Sequence, residues 1–490
     1  MTWTSEDGAF SIRHPDRFFI GGQWVEPSTS RRFAVVNPAT EDVHIHVAEA
    51  VEADIDRAVA AARTAFDQGP WPRMSPAERA HYLSRLADEV RKHAIDLGHS
   101  WTREMGILFS LSQHGGASFG GLVDQHAGWA SSFPWEETVP THDGLGGDAL
   151  LVQEPVGVVG AIVPWNAAYG LTLIKLAPAL LAGCTVVLKA SPEAPLGPYI
   201  IADLIDSIGF PPGVVNVLTA DRQASEHLVR NPDVDKISFT GSTAAGKRIA
   251  SICGERIARC TLELGGKSAA IVMDDYDIGK AASTLAQSTS FMTNQVCAAL
   301  SRVVVTEQRH DEMVDALVSE FQRIRVGDPY DPASQMGPLA MARQLERVEH
   351  YIEIGQREGQ LKTGGGRPAH LNRGYYVEPT VFANVDSRAT IAQEEIFGPV
   401  VVVIPAKDEE DAIRIANDTV YGLDGAVFTN DRARAYSVSR QVRTGTMGQN
   451  LHRMDFGVSF GGFKQSGLGR EGGHHGLRNF LEAKAIMLQP

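Results

Sequence analysis

Cysteine is scarce in this chain of 490 residues. The four cysteines are Cys184, Cys253, Cys260 and Cys297, and none of them forms a C-x-x-C pair. Four thiols in a chain of this length do not make a disulfide framework. We therefore predict reduced thiols and a cytoplasmic protein, and we assign no metal site.

Long apolar runs are also missing. The longest nearly unbroken ones lie in Val156–Trp165 and Leu176–Leu188. Both are shorter than the ~20 residues that cross a bilayer as a helix. Met1–Asp7 has no basic region ahead of an apolar stretch, so no signal peptide is visible. We expect no membrane partner.

Positive charge is limited as well. The formal net charge is −14, and Lys/Arg runs do not exceed pairs such as Arg31-Arg32. This balance argues against nucleic acid or an anionic surface as a non-specific partner. The hydrophobic fraction of 43% and the charged fraction of 21% are ordinary for a globular enzyme. A chain of this length predicts about two or three domains.

Apolar strands alternate with helices in the middle of the chain. The predicted strands are Val156–Val163, Thr185–Lys189, Val214–Leu218, Lys236–Thr240 and Arg259–Leu264. Near-continuous apolar strands that alternate with helices indicate a buried parallel sheet, and hence an α/β, doubly wound nucleotide-type domain. A second α/β series follows. It includes the strands Arg302–Thr306 and Val400–Pro405. Two further strands, Ala149–Pro155 and Ala483–Leu488, lie outside both series and could pair with each other.

One cysteine stands in an unusual setting. Cys297 lies in the small, polar segment Ser290–Ala299, just ahead of a strand. A cysteine at a helix-to-strand junction is accessible to substrate and close to backbone N–H groups, and both features lower the thiol pKa and favour a nucleophile. The alternative interpretation is a small buried hydrophobic residue.

Two upstream segments favour the nucleophile. Glu263 is a carboxylate followed by glycines in Leu262–Gly266, and Asn166 is an amide in the tight corner that begins at Pro164. A nucleophile, a base and an oxyanion donor are the parts that acyl transfer requires. The alternatives are a helix-capping or surface acid for Glu263 and a turn residue for Asn166.

Three glycine-containing segments compete as a phosphate-binding loop. Gly467–Gly472 matches G-x-G-x-x-G, but no predicted strand precedes it and no βαβ unit surrounds it, so we reject it. Gly265–Ser268 ends like a P-loop, but Thr261 stands where its first glycine should be. Ser238–Lys247 lies where a strand becomes a helix, and its small residues let backbone N–H groups approach a phosphate. A tight turn without a ligand is the alternative there.

These segments belong to a resemblance that runs nearly end to end. The chain resembles the NAD(P)-dependent aldehyde dehydrogenase superfamily, with seven motifs in the family order. The motifs are Pro164-Trp165-Asn166, Leu188-Lys189, Phe239–Thr243, Leu262–Lys267, Gln295-Val296-Cys297, Glu394–Pro399 and Phe460–Gly467. Each motif alone is modest evidence, whereas all seven in order are specific.

The resemblance implies oxidation of a small-molecule aldehyde through a covalent intermediate. Cys297 would attack the aldehyde carbon, and the Asn166 amide and the Cys297 backbone N–H would bind the oxyanion. Loss of hydride to a nicotinamide would give a thioester, and Glu263 would activate the water that hydrolyses it. Lys175 and Glu471 match family positions near a proton path.

The resemblance also implies a cofactor site. Gly241 and Ser242 would lie at the pyrophosphate, Lys189 and Glu395 would contact the riboses, and Phe397 would pack near the nicotinamide. The other predicted cofactor-binding residues are Ile162, Pro164, Trp165 and Leu264.

The family fold divides the chain into three parts. The prediction is a cofactor-binding domain from residues 1–133 and 153–264 and a catalytic domain from residues 265–470. A β-ribbon from residues 134–152 and 477–490 would join copies of the chain, which implies a homodimer or a homotetramer.

One departure from the family bears on the choice between NAD and NADP. The family often has an acid three residues after the ribose lysine, but here Pro192 occupies that position and Glu193 follows it. Such an acid meets the adenosine 2′-OH and disfavours a 2′-phosphate, and Arg222 could reach a 2′-phosphate. We expect NAD and leave NADP open.

Other departures bear on the substrate. Ala167 and Ala168 replace a bulkier pair that usually follows the asparagine, which could enlarge the tunnel. Apolar walls could come from Phe291, Met292, Met454, Phe456 and Phe460. This predicts a medium-to-large apolar or aromatic aldehyde. His452 and Arg453 leave an acidic semialdehyde as the alternative.

Three other classes of function fit the sequence less well. A CoA-acylating enzyme commonly lacks the base, and here Glu263 is present. The intact set of Cys297, Glu263 and Asn166 argues against a non-catalytic member of the fold. A thiol hydrolase lacks an obvious Cys–His pairing near Cys297 and would not need a cofactor-binding sheet.

Overall fold

A computed structural model describes residues 11–142 and 147–488. Met1–Asp7 and the outer limits of the predicted domains at residues 1 and 490 lie outside the described residues. Within those ranges, no helix is both long and apolar enough to cross a membrane.

The described residues form twenty strands. They are β1 (Phe18–Ile20), β2 (Gln23–Val25), β3 (Arg32–Val36), β4 (Val43–Ala48), β5 (Glu136–Pro140), β6 (Asp148–Pro155), β7 (Val158–Ile162), β8 (Thr185–Ala190), β9 (Val215–Thr219), β10 (Lys236–Thr240), β11 (Arg259–Glu263), β12 (Ser268–Val272), β13 (Leu300–Thr306), β14 (Gln360–Thr363), β15 (Thr380–Ala383), β16 (Val400–Ala406), β17 (Gly425–Phe428), β18 (Gly448–Gln449), β19 (Gly467–Leu468) and β20 (Leu481–Met487).

Sixteen α-helices lie in the same described ranges. They are α1 (Glu52–Asp67), α2 (Pro76–Lys92), α3 (Ala94–Met105), α4 (Phe109–Ser112), α5 (Gly115–Ser132), α6 (Ala168–Ala182), α7 (Leu196–Ile208), α8 (Arg222–Arg230), α9 (Thr243–Arg256), α10 (Ile278–Ser290), α11 (His310–Arg323), α12 (Ala342–Glu358), α13 (Thr390–Gln393), α14 (Glu409–Asn417), α15 (Arg432–Gln441) and α16 (Gly473–Arg478).

The first large sheet has a parallel centre. Its strand order is β19-β11-β10-β7-β8-β9-β1-β2, with β11 to β9 parallel and the edge strands antiparallel. Strands β7, β8, β9 and β10 are buried along their whole length, which is why each reads as an unbroken apolar run. The predicted doubly wound α/β domain is confirmed. The carboxyl ends of its parallel strands meet at one edge, where ligands bind in such sheets.

The second large sheet carries the cysteine. Its order is β14-β15-β16-β13-β12-β17-β18, and all its strand pairs are parallel except β14–β15. Cys297 lies three residues ahead of β13, at the amino end of the parallel strands. The predicted strands Arg302–Thr306 and Val400–Pro405 match β13 and β16 closely.

A smaller antiparallel sheet stands apart from these two. β20 pairs with β6 from Leu481 opposite Pro155 to Met487 opposite Ala149, and β6 also pairs with β5. The predicted pairing of the two outlying strands is therefore confirmed. The limits of the three predicted domains stay a prediction.

A helix that the sequence did not predict completes the region next to the site. Helix α5 contains several glycines, which weaken helix propensity. These glycines allow close packing: a Cβ on Gly116 would lie 2.5 Å from Ala94 Cα, and one on Gly120 would lie 2.8 Å from Arg91 Cγ. The close approach brings Phe119 of α5 into the wall of the cavity described next.

Candidate active site

The loop before Cys297 has an uncommon backbone. Met292, Thr293 and Asn294 have positive φ angles of 53°, 53° and 57°. Left-handed backbone is unfavourable for residues other than glycine and persists where the surroundings hold it. Here Thr293 Oγ1 donates to Gly337 O at 3.0 Å and Asn294 Nδ2 donates to Gly398 O at 3.0 Å. The loop is thus fixed from both sides just ahead of the cysteine.

The Cys297 thiol is harder to deprotonate than a free thiol. Burial raises its pKa, and the nearby acidic groups Glu395, Glu263 and Asp424 raise it further. The sequence-based expectation of a lowered pKa is therefore wrong for this structure. The main cause is burial, which disfavours the charged thiolate, and acidic groups from distant segments add to it.

Glu263 ends strand β11 inside the same cavity. Glu263 is 3% exposed, and the backbone N–H of Gly462 lies near its carboxylate. Burial raises its pKa well above the ordinary value, and the neighbouring Glu471 raises it further. A Cβ on Gly461 would lie 2.6 Å from Glu263 Oε1, so this glycine makes room for the carboxyl. These surroundings favour the protonated acid more than water does.

Lys175 and Glu471 form a buried ion pair behind Glu263. Lys175 lies on α6, and its ammonium group donates to the Glu471 carboxylate. It also donates to Ser238 Oγ at 3.3 Å. The backbone of Glu471 exchanges two hydrogen bonds of 2.7 Å with Phe460, which fixes the carboxylate segment. The pair links the cavity wall to the parallel sheet.

Asn166 lies just ahead of α6 and reaches the cysteine loop. Its side-chain Nδ2 donates to Gln295 O at 3.0 Å. An amide nitrogen carries two N–H donors, so this bond leaves one for another acceptor. Since Gln295 precedes Cys297 by two residues, the amide is held next to the thiol segment.

Most predicted residues meet at one cavity of about 390 Å³. Those that line it are Pro164, Trp165, Asn166, Gly241, Ser242, Glu263, Leu264, Cys297, Glu395, Phe397 and Glu471. Lys175 contacts this wall through Glu471. The two remaining residues, Ile162 and Lys189, line a second cavity of about 790 Å³.

The turn between β10 and α9 fits a phosphate. Ser242 Oγ caps α9 by accepting from Ala245 N–H at 3.3 Å. A Cβ on Gly241 would lie only 2.5 Å from Phe239 Cζ, so glycine is required here. The hydroxyl of Thr240 is buried and has no hydrogen-bond partner among the described residues. A helix amino end with unpaired donors suits an anion.

Of the two residues predicted to hold riboses, Lys189 is buried and Glu395 is half-buried. Burial lowers the pKa of Lys189 to about 8 and raises the pKa of Glu395 to about 7. Glu395 Oε1 accepts from Gly266 N–H at 3.2 Å. Trp165 and Phe397 meet edge to face, with ring centroids 5.4 Å apart. The donors, acceptors and apolar walls therefore fit a dinucleotide.

Glu193, the acid that follows Pro192, has two hydrogen-bond donors within the protein. Its carboxylate accepts from Ser191 Oγ and from Arg343 Nη2, the latter at 2.6 Å. Arg222 is exposed and lines the same cavity as Glu193.

The rejected G-x-G-x-x-G segment has a different use. Gly467 and Leu468 form the short edge strand β19, antiparallel to β11. A Cβ on Gly467 would collide with Leu262 O, so glycine serves strand pairing. The segment does not lie in a βαβ unit, as its context predicted.

Several cavity residues were missed from the sequence. Trp101 on α3 and Phe119 on α5 line the cavity together with Leu171. Trp101 Nε1 donates to Asn166 O at 2.6 Å across 65 residues. An isolated tryptophan in a helix carries no sequence signal for this contact.

Fold and site together are those of a dehydrogenase with a cysteine in its active-site cavity, and the comparisons agree. The sequence profile described as "Aldehyde dehydrogenase family" matches residues 24–486. The chain belongs to the aldehyde dehydrogenase family.

Individual relatives are similar over nearly their whole length. Geranial dehydrogenase of Castellaniella defragrans is 41% identical over 471 residues, covering 96% of this chain and 98% of that protein. A 3-succinoylsemialdehyde-pyridine dehydrogenase of Pseudomonas sp is 40% identical over 483 residues, covering 97% and 99%.

Solved structures show the same fold. A Mycobacterium tuberculosis aldehyde dehydrogenase complexed with NAD+ has a TM-score of 0.95 and 42% identity, covering 98% of this chain and 99% of that chain. An aldehyde dehydrogenase C mutant of Pseudomonas syringae, complexed with NAD+ and octanal, has a TM-score of 0.93 and 36% identity, covering 97% and 98%.

Proposed function

We propose that this protein oxidises an apolar aldehyde to the carboxylic acid, with NAD as the cofactor and Cys297 as the nucleophile. The observation that carries the proposal is one cavity lined by Cys297, Asn166, Glu263 and Glu471. These groups supply a nucleophile, an oxyanion donor and a buried acid–base pair at the same place.

The first step is attack by the Cys297 sulfur on the aldehyde carbon. Because burial and neighbouring acids raise the thiol pKa, the thiol gives up its proton during attack rather than before it. The ionised carboxylate of Glu263 in the same cavity would accept this proton and pass it toward Glu471 before the hydrolysis step. The carbonyl oxygen becomes an oxyanion. The unused N–H of Asn166 and the Cys297 backbone N–H would stabilise this oxygen, each by roughly 3–4 kcal/mol.

Bound NAD+ would accept the hydride that the tetrahedral adduct expels, which leaves a thioester on Cys297. Gly241 and Ser242 would hold the pyrophosphate, and Lys189 and Glu395 would hold the riboses. Two neighbours of 42% and 36% identity are named as complexes with NAD+, which supports this choice of cofactor.

Hydrolysis of the thioester requires a base with access to water. Glu263 is suited to this role because its raised pKa makes its carboxylate a stronger base once it is ionised. The proton it takes from water can pass toward Glu471, whose carboxylate is held by Lys175. Since both acids and the lysine are buried, the proton moves within the protein.

The walls of the cavity support an apolar substrate. Its apolar lining includes Trp101, Phe119, Leu171, Phe291, Met292, Met454, Phe456 and Phe460. His452 is turned away, with Nδ1 3.2 Å from Ser288 Oγ, and Arg453 is exposed. Neither lines the cavity, so the acidic semialdehyde has less support. The geranial- and octanal-named relatives agree with this choice.

A cytoplasmic homo-oligomer completes the proposal. The four cysteines are free. The edge strand β20 exposes apolar side chains such as Met487, which is 69% exposed, and a second copy could cover them. Light scattering of the purified protein distinguishes dimer from tetramer.

The test is NADH formation with a panel of octanal, geranial, benzaldehyde and succinate semialdehyde, without CoA. The proposal expects NADH with the first three and no NADH from Cys297→Ala. Higher activity on succinate semialdehyde than on octanal and benzaldehyde would overturn the apolar substrate. NADH formation only with CoA present would identify an acylating enzyme instead. No NADH formation with any of the aldehydes, despite tight NAD+ binding, would favour a non-catalytic member of the fold.

A further inference from the structure

We infer that Trp101 is a positioning residue for the oxyanion site, because its indole N–H holds the backbone carbonyl of Asn166. The inference rests on the proposed role of the Asn166 amide. It assigns a function to a residue on α3, far from the catalytic motifs in sequence.

The contact is short and buried. Trp101 is 8% exposed, and its Nε1 donates to Asn166 O at 2.6 Å. The backbone ladder of α6 begins one residue later, since Leu171 N–H donates to Ala167 O at 2.9 Å. The Asn166 carbonyl therefore takes its hydrogen bond from the tryptophan rather than from the helix.

Asn166 is consequently held by two hydrogen bonds. Trp101 holds its carbonyl, and Gln295 O accepts from its side-chain Nδ2. Gln295 is itself fixed, because its Oε1 accepts from Ala340 N–H at 3.0 Å. With both ends anchored, the second N–H of the amide has a defined direction. Loss of the indole donor would leave a buried carbonyl unpaired and would release one of the two anchors.

Packing keeps the indole in place. Tyr169 meets the Trp101 ring edge to face, with centroids 5.5 Å apart and an interplanar angle of 90°. A Cβ on Gly115 would lie 3.2 Å from Trp101 Cζ3 and would collide with the Tyr169 hydroxyl. Since Tyr169 follows Asn166 by three residues, its contact with the indole packs Trp101 against the start of α6. The ring also lines the cavity.

A double-mutant cycle tests the inference. Trp101→Phe removes the donor and keeps an aromatic wall, and it is combined with Asn166→Ala. We expect kcat/KM for octanal to fall about 10- to 100-fold in the Trp101→Phe variant, because small misplacement of a catalytic group has effects of this size. In the Asn166→Ala background the same substitution should change kcat/KM less than about twofold.

A matched control separates positioning from stability. Trp135 Nε1 donates to Ala130 O at 3.0 Å, so Trp135→Phe deletes the same kind of bond away from the cavity. It should change Tm by a similar amount and leave kcat/KM within about twofold. If Trp101→Phe does not fold, benzothienylalanine at position 101 replaces only the N–H by sulfur and keeps the ring shape.

The outcomes discriminate between the two claims. Equal loss in both backgrounds, or full activity of Trp101→Phe beside a damaged Asn166→Ala, overturns the role of Trp101 and leaves the proposed function standing. Full activity of Asn166→Ala overturns the oxyanion assignment and this inference together. A loss of kcat/KM that Trp101→Phe causes when Asn166 is present, and not in the Asn166→Ala variant, supports the inference.

Discussion

Replacing Lys175 with methionine removes the cation that balances Glu471. Both side chains are buried, at 0% and 5% exposure. Removing one partner of a buried pair leaves an uncompensated charge and costs about 3–5 kcal/mol. Unfolding entropy of roughly 2 cal/mol/K per residue converts this cost into a Tm decrease of about 3–5 °C for a chain of this size that unfolds cooperatively.

The assay is calorimetry at neutral pH beside two further variants. Lys484→Met breaks the exposed pair with Glu154 and should cost less than about 1 kcal/mol. The double change Lys175→Met with Glu471→Leu removes both charges and should recover most of the lost Tm without recovering activity. A Lys175→Met decrease no larger than that of Lys484→Met would refute the reasoning, as would a double variant less stable than Lys175→Met.

Four further predictions address the site. Burial raises the folded-state pKa of Glu263 above its ordinary 4.5. The stability that this group contributes is therefore fully present below pH 4.5 and is lost as the pH rises through the folded-state pKa. Glu263→Gln should therefore gain Tm relative to wild type as pH rises, and a constant difference would contradict this. Because the pKa of Cys297 is raised, its alkylation by iodoacetamide should be half-maximal above the value of about 8.5 of a free thiol, and a lower midpoint would count against the burial argument. Gly241→Ala should weaken NADH binding, measured by fluorescence titration, whereas Gly254→Ala on the following helix α9, with nothing within 4 Å of its Cβ, should not; equal affinities would contradict the fit. Arg222→Ala should raise the KM for NADP+ about fivefold, the size of one exposed ion pair, and leave that for NAD+ within twofold; unchanged NADP+ kinetics would remove Arg222 from that contact.

Some parts of the fold could be predicted because their signals are local. Strand β10 has the predicted limits, since a buried parallel strand is a continuous apolar run. Helix α5 was missed because its glycines serve packing rather than helix propensity. Strands β12 and β17 were also missed, because both are short and begin next to glycine-rich turns.

Part of the residue set that lines the cavity could be predicted from the sequence, but its electrostatics could not. Motifs locate Cys297, Glu263 and Asn166 because each lies in a short, characteristic segment. Burial of the thiol raises the Cys297 pKa, and Glu395 and Asp424, which lie more than ninety residues further along the chain, raise it further. Contacts of this kind depend on tertiary packing and leave no local signal.

The central claim is a covalent thioester on Cys297. The most direct measurement is peptide mass spectrometry of Glu263→Gln after a single turnover with octanal and NAD+. The account predicts an octanoyl adduct on the Cys297 peptide in proportion to the NADH formed, and no adduct in Cys297→Ala. NADH formed with no adduct on that peptide, or with an adduct on another cysteine, would contradict it.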